Sequence, residues 1–96
     1  MTSKERATLR GLAMKISPLT TVGKSGVSEQ LLQQVDEQLE ARELIKITVL
    51  KNFDLSASEI AQEIADKTES ELVQVIGSKI TLYRLSSRKD ICHIMA

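Results

Sequence analysis

The chain has 96 residues, 42% hydrophobic and 27% charged, with no net charge. That length supports one domain with a modest core and leaves little room for a separate catalytic domain. The composition is that of an ordinary soluble globular protein. No apolar stretch approaches the ~20 residues that cross a membrane, and Lys4, Glu5, Arg6 and Arg10 interrupt any signal-peptide core at the start. A single cysteine, Cys92, excludes an internal disulfide and fits a reducing cytoplasm. One His and one Cys cannot complete a four-ligand zinc site. One Phe, one Tyr and no Trp weaken any reading built on aromatic base stacking.

In chain order, Thr2 and Glu5 have capping-box spacing and start a helix over about Lys4 to Lys15, with Leu9, Leu12, Ala13 and Ile16 at helical intervals. Arg6 and Arg10 share one of its faces. Pro18 stops the helix, and Leu19 to Val22 reads as a short strand. Ser25 or Ser28 caps a second helix to about Ala41, with Val27, Leu31, Val35 and Leu39 inward. Leu44 to Leu50 alternates as a strand. Ser56 and Glu59 open a third helix with Ala57, Ile60, Ala61, Ile64 and Ala65 inward. Leu72 to Ile76 and Ile80 to Leu85 form a hairpin, and Gly77-Ser78 between them suits a type II′ turn. The order is α-β-α-β-α-β-β. The strand–helix–strand unit predicts a parallel pair, the hairpin an antiparallel one, and the sheet is therefore mixed. Residues 1–96 read as a single domain, with 86–96 as a mobile basic tail or a final extended segment packing back through Ile91 and Ile94.

The charges are segregated. Residues 1–26 carry +4, residues 27–72 carry −7 and residues 73–96 carry +3. If the two ends meet, they form a basic face opposite an acidic one. Inside the first basic third lies Gly23-Lys24-Ser25-Gly26, between the first strand and the second helix. Two glycines let backbone approach a ligand closely, a helix start favours an anion, and Lys24 adds a mobile cation. The expected ligand is a phosphate of an RNA backbone.

These pieces resemble a bacterial stand-alone CRM domain (chloroplast RNA splicing and ribosome maturation), the YhbY-like group. The matching stretches are Leu9-Arg10-Gly11-Leu12-Ala13, Val22-Gly23-Lys24-Ser25-Gly26-Val27, Glu43-Leu44-Ile45-Lys46-Ile47, Val73-Gln74-Val75-Ile76-Gly77 and Leu82-Tyr83-Arg84. Together they cover nearly the whole chain. The resemblance implies a two-layer α/β fold like the C-terminal domain of translation initiation factor three, with a helix added in front. It implies a four-stranded mixed sheet of order 1-2-4-3 with the fourth strand antiparallel. It also implies RNA binding and association with precursors of the large ribosomal subunit. The GxxG loop is similar to the backbone clamp of KH domains, but it joins a strand to a helix, so a KH base-reading groove does not carry over.

The candidate RNA contacts are Gly23, Lys24, Ser25, Gly26, Arg6, Arg10, Lys15, Lys46 and Arg84. Lys79, Arg88 and Lys89 are further cations in the same class. Tyr83 reads as a sheet residue packing beside a helix. Enzyme signatures fail on spacing. A P-loop ending at Gly23-Lys24-Ser25 would need glycine where Pro18 stands, and Gly26 directly follows Ser25, which spoils a nucleophile elbow. Cys92-His93 has no acidic orienting partner nearby except Asp90. The expectation is a non-catalytic, cofactor-free, monomeric RNA-binding protein with no membrane or small-molecule partner. The alternative is an adaptor that binds protein alone.

Overall fold

The computed structural model describes residues 2–23, 26–50 and 56–87. Its elements are α1 (Ser3–Ala13), β1 (Thr20–Val22), α2 (Glu29–Arg42), β2 (Leu44–Val49), α3 (Ala57–Thr68), β3 (Glu71–Ile76) and β4 (Lys79–Tyr83). The order, and the mixed sheet β1-β2-β4-β3 with β4 antiparallel to both neighbours, are those expected.

Local chemistry sets the boundaries. The Thr2 hydroxyl accepts the Glu5 N–H and the Glu5 carboxylate accepts the Thr2 N–H, each at 3.1 Å. The Thr2 N–H, with the Thr2 hydroxyl beside it, holds the Glu5 carboxyl below its ordinary pKa. Ser28 caps α2 by accepting the Leu31 N–H, and Ser56 caps α3 by accepting the Glu59 N–H. At the hairpin Gly77 has φ 57° while Ser78 stays out of the left-handed region, as a type II′ turn requires.

Strand alternation divides the sheet into two faces. Ile45, Ile47 and Val49 of β2 join Val22, Ile80 and Leu82 under Leu31, Val35 and Leu39 of α2 and Ile60 and Ile64 of α3. The opposite face meets α1. Leu9 and Ala13 pack on Leu44, Val73 and Tyr83, with Leu12 and Ile16 at the margin. Tyr83 is thus a sheet residue under a helix. Burial raises its pKa first, and the Glu43 and Glu5 carboxylates add to the effect. Between Leu72 and Gln74 the β3–β4 register slips. This bulge sets both Val73 and Gln74 against Thr81 on the α1 side.

The chain beyond β4 is tied down through residues 86 and 87. Ser86 is buried. Its N–H donates to the buried Glu43 carboxylate at 2.7 Å and its hydroxyl to the Glu40 carbonyl at 2.6 Å. The Ser87 N–H and hydroxyl both donate to the Glu40 carboxylate at 2.9 Å. Residues 88–96, which hold Arg88, Lys89, Cys92 and His93, lie outside the described residues.

The hydroxyls of Ser86 and Ser87 and the Ser87 N–H hold the Glu40 carboxyl below its ordinary pKa, with a smaller contribution from Arg84. A depressed carboxylate stabilises the fold above its ordinary pKa of 4.5, and that contribution is lost as pH falls through the lowered value. Glu40→Gln should therefore lower the urea midpoint at neutral pH and show a shallower loss on acidification than the parent chain. Parallel midpoint-against-pH curves for the two proteins would show that Glu40 has no such linkage.

Candidate nucleic-acid interface

The α1 side of the sheet is only half covered. α1 lies over the Leu44 and Tyr83 end. Beyond it, on the same face by alternation and cross-strand pairing, stand Lys46, Thr48, Lys79, Thr81, Thr21 and Gln74. None of them joins a hydrophobic cluster. Lys79 and Thr21 are exposed, and Lys46 and Thr48 half-buried. The Lys79 ammonium donates to the Thr48 hydroxyl at 3.0 Å, which fixes the cation over the sheet. Lys46 therefore faces a largely polar part of the sheet, which also carries the exposed Ile76, with Lys79 diagonally across from it on the neighbouring strand.

The loop stands at the far end of this face. Val22 pairs with Val49 at the end of β2, and the Leu50 N–H bonds to the Val22 carbonyl. Leu44, where α1 sits, is at the other end, about 17 Å away along the strand. The loop begins and ends as a turn: the Gly26 N–H donates to the Gly23 carbonyl at 3.0 Å, and Gly26 has φ 75°. Lys24 and Ser25 lie outside the described residues.

Of the two cap candidates the structure takes Ser28, and α2 starts at Glu29. One expectation about the loop is corrected: the Gly26 amide is not free for a ligand, because the turn takes it. Gly23 and Gly26 themselves are half-buried at the surface.

The expected cations separate into groups. Arg10 is exposed on α1. Arg6, on the same helix, is half-buried and donates to the Leu72 carbonyl of β3 at 3.1 Å, so part of its guanidinium serves the fold. Lys15 is away from the loop, at the opposite end of β1. It borders an open apolar groove of about 620 Å³ with Leu12, Ile16, Leu19, Arg42 and Leu44.

Arg84 departs most from expectation. It follows Tyr83 and so points to the other side of the sheet, toward α2 and α3. Its guanidinium donates to the Asp36 carboxylate at 2.6 Å, the Thr68 carbonyl at 2.7 Å, and the Asp36 carbonyl and Glu40 carboxylate at 3.2 Å each. Its side chain is 17% exposed. Those bonds neutralise it, so it does not join the cationic face.

Lys79 is the cation whose placement sequence alone undervalued. It was one of several interchangeable candidates, and only the pairing of Lys79 with Thr48 sets it beside Lys46. Among the described residues no cluster of three or more His, Cys, Asp or Glu could hold a metal ion, and no helix is long and apolar enough to cross a membrane.

The two loop glycines should separate in their stability effects. A Cβ on Gly23 meets no atom within 4 Å, so Gly23→Ala should change stability by less than about 0.5 kcal/mol. Gly26→Ala forces a left-handed φ on a side chain and should cost about 1–2 kcal/mol. Urea unfolding of both variants decides this, and equal losses would contradict the turn geometry.

The chain resembles known proteins along nearly its whole length. Residues 1–84 match the CRS1/YhbY (CRM) domain. The Bacillus subtilis protein named probable RNA-binding protein YqeI is 41% identical over 86 residues, which cover 90% of each chain. A Haemophilus influenzae protein named RNA-binding protein is 31% identical over 91 residues, 95% of this chain and 92% of the relative. The solution structure of the hypothetical Staphylococcus aureus protein SAV1595 superposes with a TM-score of 0.79 at 46% identity, covering 94% of each chain. With its sequence and its fold in agreement, the chain belongs to the CRS1/YhbY (CRM) domain family.

Proposed function

We propose that this protein is a non-catalytic RNA-binding module that holds the phosphate backbone of structured ribosomal RNA during assembly of the large ribosomal subunit. The observation that carries the reading is the half-covered sheet face, where Lys46 and Lys79 stand between the α1 cations and the Gly23–Gly26 loop. Lys24 and Ser25, with the Val27 amide, accept one phosphate. Lys46, Lys79 and Arg10 neutralise its neighbours, and Arg6 adds whatever its Leu72 contact leaves free. Relatives named as RNA-binding proteins support the class of ligand. The ribosomal step rests on the CRM resemblance.

Binding of this kind is electrostatic and reads shape more than sequence. The slope of log K against log salt should be about 0.7–0.9 per phosphate neutralised, hence about 3 for four cations. Lys79→Ala should lower the slope by just under one unit and weaken all sequences alike. Arg84→Met should lower stability and leave the slope in place. Filter binding to ribosomal RNA fragments across a salt series measures all three, and a salt-independent affinity would refute the electrostatic mechanism. An adaptor that touches protein alone would show no RNA affinity in the same titration.

The assembly step has its own test. Sedimentation of a cell extract through sucrose should place the protein with immature large subunits, and RNase treatment should release it. Confinement to the top of an untreated gradient would remove the ribosomal assignment while leaving RNA binding intact.

A further inference from the structure

On the α2 side of the loop the surface changes character. A hollow of about 180 Å³ lies between the loop and the first turns of α2, bordered by Gly23, Gly26, Gln30 and Gln34 over Val22 and Leu31. A second hollow of about 290 Å³ adjoins it, bordered by Gln30, Gln33, Gln34 and Glu37. The two share Gln30 and Gln34 and so form one depression. Val22 and Leu31 are core residues, 1% and 8% exposed, and lie beneath it, so the surface it presents is mostly polar.

Its described lining offers the neutral donors and acceptors that suit the edge of a base. No cation lines either hollow in the described residues, and the Glu37 carboxylate stands at one end. Gln30 and Gln34 are four residues apart and share a helix face. Each carboxamide carries two donors and one acceptor. Both side chains are exposed, and among the described residues neither makes a hydrogen bond within the protein. A neutral heterocycle finds donors and acceptors here. The smaller hollow has room for about one planar ring system. The chain has one Phe and one Tyr, so a base here is held by hydrogen bonds and not by aromatic stacking.

We infer that this depression is a nucleobase subsite, in which an unpaired base of the strand held at the loop lies over Val22 and Leu31 and pairs its edge with Gln30 and Gln34. Adenine fits best, because its amino donor beside a ring-nitrogen acceptor matches a carboxamide bidentately. The inference rests on the RNA-binding reading and adds a preference to it. The loop and the sheet cations set affinity, and the glutamines set which base is favoured.

The test uses the full chain and labelled single-stranded oligo-A, oligo-C and oligo-U of equal length, read by fluorescence anisotropy. Oligo-A should bind at least about five-fold tighter than oligo-U. Gln30→Ala/Gln34→Ala should bring that ratio close to one while the salt slope stays unchanged. Both positions are exposed and alanine favours helix, so the variant should fold, and circular dichroism checks it. Gln34→Glu, which keeps the size and removes the donors, should reduce the ratio as well. Equal binding of the three oligomers by the parent chain, or a ratio that survives the double substitution, overturns the subsite and leaves backbone binding standing. No binding of any RNA by the parent chain would overturn both.

Discussion

The working surface depends on one constraint: α1 covers only one end of the sheet it packs on. A helix is about 10–12 Å across, and α1 lies across one end of the strands, over Leu44, Val73 and Tyr83. β2 therefore has two kinds of residue on one face. Leu44 is buried under α1, while Lys46 and Thr48 emerge beyond it. On the other face Ile45, Ile47 and Val49 are sealed beneath α2 and α3. Because the side-chain period of a strand is two, a slip of one residue in β2 would bury the lysine and expose the isoleucines. The hydrophobic cost of that slip fixes the register, and the register delivers Lys46 and Lys79 to the surface diagonally across from each other.

The second face holds its position through Arg84. This one side chain joins the strand exit to both helices. It pairs with Asp36 and Glu40 of α2 and caps the last carbonyl of α3 at Thr68, the negative end of that helix. Hydrogen bonds to a charged group contribute about 1.5–3 kcal/mol where they are shielded. The exposed Lys67–Glu63 pair one turn apart on α3 contributes about 0.3–0.5 kcal/mol at most. Glu43 completes the clasp. It ends α2 at φ 67°, accepts the Arg84 N–H on its carbonyl, and accepts the Ser86 N–H on its buried carboxylate. Fixing the C-terminal half of α2 to β4 also fixes its N-terminal half, which carries the glutamine face and borders the loop.

Most of the fold was legible because it rests on local signals. Thr2 with Glu5, Ser56 ahead of Glu59, Pro18 after α1 and Gly77 at the hairpin each state a boundary within a few residues of sequence. The site was legible in part, for the same reason. Gly26 is a turn glycine by its own φ, but whether its amide is free depends on where the helix starts, and Ser25 and Ser28 were equal candidates for the cap. Arg84 was misread because its partners lie 16 to 48 residues away, and a cation near a hairpin looks the same whether it meets phosphate or carboxylate. The bulge at Val73 left no mark, since alternation continues on either side of it. Gln30 and Gln34 were passed over because neutral amides carry no charge or hydropathy pattern. Their meaning comes only from the hollow that the loop makes beside them.

Zero net charge is consistent with binding a polyanion because what matters is the field at the surface where the strand lies. The central acids sit on α2 and α3, whose inner faces bury the larger core, and the cations of the sheet lie behind that core on the opposite side. The Gly23–Gly26 turn stands on the border between the two. A single strand has the same division along its length, with a charged backbone on one edge and neutral bases on the other. In the proposed mode of binding, phosphates lie toward Lys46 and Lys79 and bases toward Gln30 and Gln34. The acids of α2 then act by exclusion, since the reverse orientation would bring phosphates against Glu37, a like-charge repulsion that salt weakens at this exposed site.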